Sequence, residues 1–125
     1  MPTVTTQAKG RKHEKTAAQL LSRHRYRIVE RNFLCRLGEI DLIALDPENT
    51  LVFVEVRYRA NLDYGGPLAS VTPTKQGRVR RSAQFFLLSH ARFKHHSCRF
   101  DVIGITGQRP PANEPKIEWI KSAFM

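Results

Sequence analysis

Two apolar runs separated by a four-residue turn signal constrain this chain more than any other feature. Gly38-Glu39-Ile40-Asp41-Leu42-Ile43-Ala44-Leu45 and Leu51-Val52-Phe53-Val54-Glu55-Val56-Arg57 flank Asp46-Pro47-Glu48-Asn49. β-Branched and aromatic residues favour strands, and so short a link makes the pair an antiparallel hairpin. With Glu48 at the tip, Ile40, Leu42 and Ala44 oppose Val56, Val54 and Val52 on one apolar side. On the other side Glu39 opposes Arg57, Asp41 opposes Glu55, Ile43 opposes Phe53 and Leu45 opposes Leu51. A one-residue slip would set Asp41 against Val54 and Ile40 against Glu55, spoiling both faces. The favoured register places two carboxylates across from each other, with Cβ atoms about 4.5–5.5 Å apart. Facing carboxylates repel unless a proton, a cation or a guanidinium compensates. Two readings follow: a salt-bridged patch with Glu39 and Arg57, or a divalent-metal site.

Around the hairpin the spacing predicts a helix over Ala8 to His24, with Glu14, Ala17, Ala18 and Leu21 on one stripe. Gly10 lies one turn earlier on that stripe, where a missing side chain permits close backbone approach. Glu14 either reaches water or Lys15, or aims inward at a metal. A first strand follows at Tyr26 to Phe33, and Tyr58 to Val71 reads as a loop containing Gly65-Gly66-Pro67. A second helix opens with Thr72 as N-cap and Pro73 at its first position, burying Val79, Ala83, Phe86 and Leu87. Arg99 to Thr106 reads as a buried strand, Gln108 to Pro115 as a Pro-rich loop, Ile117 to Ile120 as an edge strand and Lys121 to Met125 as a tail. The order is α-β-β-β-α-β-β. The helix between the third and fourth strands makes those two parallel, and the first three form a meander. The fold class is therefore α/β, a single mixed sheet of about five strands flanked by helices. A chain of 125 residues corresponds to one domain.

Charge points to a partner. Lys plus Arg is 21 against 11 for Asp plus Glu, a net charge of +10. The excess is clustered in Lys9 to Lys15, Arg23 to Arg27, Arg78 to Arg81 and His90 to Arg99, which favours a surface for a polyanion, most commonly nucleic acid. No apolar run approaches the roughly 18 residues of a membrane span, and the start lacks an apolar signal core, so a cytoplasmic protein with no membrane partner is expected. Cys35 and Cys98 are too few for a zinc site and are read as reduced. His95 and His96 point to opposite faces and belong to a basic surface loop. Asp101 has Arg99 as a same-face ion-pair partner, which favours a structural role. Trp119 suits edge-strand packing, and Tyr64 in the long loop suits stacking on a base.

Phosphodiester hydrolysis needs cations at the phosphate, an activated water and stabilisation of the leaving oxygen. Magnesium prefers one or two carboxylates plus waters and phosphate oxygens. Asp41 and Glu55 supply that minimum, with Glu14 and the Val56 carbonyl as further ligands. Arg57 holds a phosphate or developing charge. An acid followed by hydrophobics and then Glu-Xaa-basic on the next strand resembles the PD-(D/E)XK, or restriction-endonuclease-like, nucleases. A longer string is more specific: Lys9-Gly10 before Glu14, Glu30-Arg31-Asn32, Gly38 to Ile43, Val52 to Val56, Arg99-Phe100-Asp101-Val102 and Ala123-Phe124. It resembles the YraN-like family, whose fold is similar to that of archaeal Holliday junction resolvases.

The resemblance implies a nuclease core with Glu14, Asp41 and Glu55 in the metal-binding positions, holding Mg2+ or Mn2+, and a basic position at Lys75. The activity it implies is an endonuclease acting on DNA, branched DNA included, and a two-fold dimer would suit such a substrate. Lys9, Lys12, Lys75, Arg78, Arg81 and Tyr64 are the candidate nucleic-acid contacts. The family carries Lys where this chain has Arg57. A guanidinium stays charged at any working pH and cannot serve as a general base. The alternative is accordingly a binding module that keeps the fold without turnover.

Overall fold

The computed structural model describes residues 2–59, 66–107 and 116–125, with side chains from residue 10 onward. Helix α1 spans Pro2–Arg23 and so begins six residues before the expected start. Proline at a first helical position has its φ already set and lacks only an N–H that would go unused there. The strands are β1 (Arg27–Cys35), β2 (Gly38–Leu45), β3 (Leu51–Arg59), β4 (Cys98–Thr106) and β5 (Lys116–Phe124), and helix α2 is Pro73–Ser89. They form one sheet in the order β1-β2-β3-β4-β5, antiparallel throughout except for the parallel β3–β4 pair. The mixed α/β sheet and its element order match the expectation from sequence.

Each helix covers one face. Ala17, Ala18 and Leu21 of α1 pack with Leu42, Ala44, Val52, Val54, Ile103 and Ile105. Val79, Ala83 and Phe86 of α2 pack with Ile40, Ile43, Leu45, Leu51 and Phe53. The Thr72 side chain caps α2 by accepting the Lys75 N–H at 3.2 Å. Before α2, a 3-10 turn at Pro67–Ser70 lies on β4 at Gly104, where a Cβ would stand 1.9 Å from Pro67 Cγ. Only glycine admits that approach, and it seats the turn whose Ser70 carbonyl accepts from Arg57 at 3.3 Å.

Three expectations are corrected. The tail after Ile120 is strand: β5 continues to Phe124, which faces Phe100 across a register shift, with Ser122 at φ 51°. Gly10 makes no close approach, since a Cβ there would meet nothing within 4 Å; it is exposed at a cavity rim. The third correction concerns β2. Its pairs with β3 run from Leu42–Val54 to Leu45–Leu51 in the expected register, but Ile40 packs on the α2 side while Leu42 packs on the α1 side. Residues two apart share a face in a regular strand, so alternation breaks between them. The β1 pairs Arg31–Leu42 and Phe33–Ile40 bracket this point, where Asn32 has φ 53°. The wholly apolar side therefore ends at Leu42, and Asp41 turns toward α1.

Candidate functional site

The break in alternation builds the site. Beyond Leu42 and Val54 the hairpin ladder stops, and the Asp41 carboxylate takes its place by accepting the Val56 N–H at 2.7 Å. The Asp41 backbone in turn bonds the Glu55 carboxylate. The splayed strand ends open a cavity of about 540 Å³ between α1 and the start of α2. Glu14, Glu39, Asp41, Glu55, Arg57, Lys75 and Arg78 all line it.

Ligand atoms of Glu14, Glu39 and Asp41 lie within 4.8 Å of one another. Glu14 comes from α1 and is bonded by Asn32 and by Asp41. Glu14 thus lines the cavity beside Asp41 and Glu39. Glu39 was expected to face Arg57; it is exposed and joins the acidic trio instead. Its signal in the sequence was its i, i+2 relation to Asp41, which puts both on one face. Glu55 stands outside that trio. It is 6% exposed, and its Oε1 has no hydrogen-bond partner.

Electrostatics mark the same place. Burial, followed by the Asp41 charge, pushes the Glu55 carboxyl up to about 8. Burial, opposed by the Val56 N–H and reinforced by Glu14 and Glu39, pushes Asp41 up to about 6. Burial also raises Glu14, against the Asn32 hydrogen bond. Lys75 is lowered by burial and then by Arg57, with Glu55 and Asp41 pulling the other way. Arg57 and Lys75 offset only part of this mutual repulsion and burial, and a divalent cation would complete the compensation. An all-carboxylate donor set with an orphaned buried oxygen fits a hard, oxygen-seeking ion such as Mg2+ or Mn2+.

The cations are arranged in two shells. Arg57 and Lys75 approach the carboxylates from β3 and α2, and Arg57 Nε is buried without a partner. Arg78 is exposed at the cavity wall, whereas Lys12 and Arg81 are exposed on their helices and do not line it. The side chain of Lys9 and all of Tyr64 lie outside the described residues. His13 and Tyr58 stack at the rim, with ring centroids 3.9 Å apart.

Asp101, Asp46 and His96 serve the fold. Asp101 is fully buried, accepting from Arg99 Nε at 3.0 Å, Trp119 Nε1 at 3.0 Å and Ser122 N at 3.0 Å. Arg99 also reaches Asp46 at 2.7 Å and the Tyr26 hydroxyl. The structural roles expected for Asp101 and Trp119 are those observed. His96 bonds the Asn49 carbonyl, and Cys35 and Cys98 are free thiols. Among the described residues no helix is long and apolar enough to cross a membrane.

Comparison with known proteins places the chain. It matches the profile of Uncharacterised protein family UPF0102 over residues 13–105, a span that includes Glu14, Glu39, Asp41, Glu55 and Arg57. A UPF0102 protein of Pseudomonas syringae pv. syringae is 47% identical over 120 residues, covering 96% of this chain and 95% of the relative. One from Alcanivorax borkumensis is 51% identical over 116 residues, covering 92% and 90%. One from Nitrosococcus oceani is 42% identical over 124 residues, covering 99% and 97%. The chain belongs to the UPF0102, or YraN-like, family.

Proposed function

We propose that the protein is a divalent-cation-dependent endonuclease acting on DNA, branched forms included, built on a restriction-endonuclease-like core. The observation that carries this reading is the buried Glu55 carboxylate, with one oxygen unpartnered, beside Asp41 in a cavity walled by Arg57, Lys75 and Arg78. Asp41 and Glu55, with Glu14 of α1 and Glu39 of β2, would hold Mg2+ or Mn2+. When bound, such an ion polarises the phosphate and lowers the pKa of its water. Arg57 and Lys75 neutralise the phosphate and the developing negative charge. Lys75 stands where an ammonium can reach the acids, although β3 itself offers only a guanidinium. Because Arg57 cannot release a proton, water deprotonation falls to a carboxylate or to the substrate phosphate.

The test is cleavage of labelled linear, flap and four-way DNA with Mg2+ or Mn2+ by wild type, Asp41→Asn and Glu55→Gln. Metal-dependent cleavage lost in both variants is expected; cleavage that survives in both would remove this site. Arg57, held against the Ser70 carbonyl, favours a second reading, a nucleic-acid-binding module without turnover. Binding that weakens steeply with salt, needs no metal and is never followed by cleavage, even in Arg57→Lys, would select it.

A further inference from the structure

A row of depressions follows the seam between α1 and β1. The first is bordered by Arg23, Gln19 and Arg31, the next by Arg31, Lys15 and Arg11, and the third by Arg11, Glu14 and Glu39. Each shares residues with its neighbour, and the last shares Glu14 and Glu39 with the cavity of the acidic centre. Arg11, Lys15, Arg23 and Arg31 are exposed, and none forms an ion pair among the described residues. Arg11 stands near Glu14, which lines the second and third depressions, and the cations still outnumber the acids along the seam, the electrostatic footprint of a polyanion. β1 is also an edge strand, so it offers backbone N–H groups that no neighbouring strand uses.

We propose that this seam is a trough for the phosphate backbone of one nucleic-acid strand, leading away from the acidic centre toward Arg23. The inference rests on the nuclease reading for its direction but not for its existence. A seam between a helix and an edge strand suits a single backbone rather than a whole duplex. From Glu14 to Arg23 the helix rises about 14 Å. That length suits a short stretch of one backbone running away from the reacting bond. Contacts of this kind set position and affinity and carry no sequence preference.

The experiment measures fluorescence anisotropy of labelled single-stranded DNA in EDTA, where no cleavage occurs, across a salt series. Lys15→Glu/Arg31→Glu is compared with Lys116→Glu/Lys121→Glu, an equal charge change on exposed residues of the opposite edge strand. The seam variant should bind at least about tenfold more weakly and lose about 1.4 from the slope of log K against log salt, as expected for two lost phosphate contacts on a single strand. The β5 variant should stay near wild type, and melting curves of both should overlay the wild-type curve. Equal weakening in the two variants, or none in the seam variant, overturns the trough. Seam-dependent binding by a protein that never cleaves keeps the trough and sinks the nuclease reading. Full-rate cleavage with undiminished affinity in the seam variant does the reverse.

Discussion

Asp101 and Glu55 lie on adjacent parallel strands, one register step apart, since Asp101 pairs with Val54 and Glu55 with Val102. Both are buried carboxylates, yet they are treated oppositely. Asp101 accepts a guanidinium, an indole N–H and a backbone N–H, and its partner Arg99 is tied in turn to Asp46. Burial alone would lower Arg99; Asp101 and Asp46 overcome it and hold the guanidinium above its usual value. Glu55 has an oxygen with no partner and an acid as its neighbour. A satisfied buried charge serves the fold, whereas an unsatisfied carboxyl at a cavity wall is a candidate functional group, one that a proton or a bound cation would complete. Burial alone would not have separated the two.

Removing Asp101 should break the molecule most severely. Asp101→Ala takes from Arg99 one of its two carboxylates, leaves the Trp119 and Ser122 N–H groups without their acceptor, and should cost about 3–5 kcal/mol. Melting temperature should fall by on the order of 10 °C, read by calorimetry. A loss below about 1 kcal/mol would mean the knot contributes little.

The two regions should also respond to pH with opposite sign. Burial would raise Asp46, but hydrogen bonds from the Thr50 and Glu48 N–H groups and from Arg99 hold it below the usual carboxylate value. Its contribution is therefore complete above the unfolded value near about 4 and is lost as pH falls through the lower folded value. Asp41 and Glu55 are raised, so the folded chain keeps protons that the unfolded chain has released. Their contribution is greatest below about pH 4 and declines as pH climbs through about 6 and about 8. Urea midpoints in EDTA should accordingly drop from pH 5 to 8.5, and Mg2+ or Mn2+ should restore the upper limb.

Glu55→Gln should act in the opposite direction to Asp101→Ala. Replacing an unsatisfied carboxylate with a neutral isostere should stabilise the metal-free protein by about 1 kcal/mol at pH 8 and flatten that upper limb. Destabilisation there would show that Glu55 is compensated after all. The smallest effect belongs to Glu39→Gln. Glu39 is exposed, so its loss should weaken Mn2+ binding by roughly three- to tenfold in titration calorimetry with little change in stability.

Most of the architecture was legible because it is written locally. Proline with flanking Asp, Glu and Asn marked the turn at Asp46 to Asn49, and polarity aligned Leu42–Leu45 with Leu51–Val54 as observed. Thr72 and Pro73 announced α2, and its position between β3 and β4 made those strands parallel. The end of β5 was missed because Lys121 and Ser122 are polar; the strand persists there through pairing with β4 and the Asp101 bond to Ser122. Glu39 was assigned to Arg57 because strict alternation carried past Leu42 would put it there, and alternation does not continue that far.

Side-chain period and turn chemistry act between near neighbours, so residue order alone dictated the element sequence and the hairpin register from Leu42–Val54 to Leu45–Leu51. Where the helices dock depends on contacts between distant segments, and no local pattern encodes it. Packing of α1 brought Glu14 to Asp41, and the break in β2, opposite the positive φ of Asn32 in β1, put Ile40 on the α2 side and Asp41 on the α1 side. Packing of α2 set Lys75 beside Arg57. The convergence of the acids, the orphaned Glu55 oxygen and the cation-lined seam are all consequences of that long-range assembly.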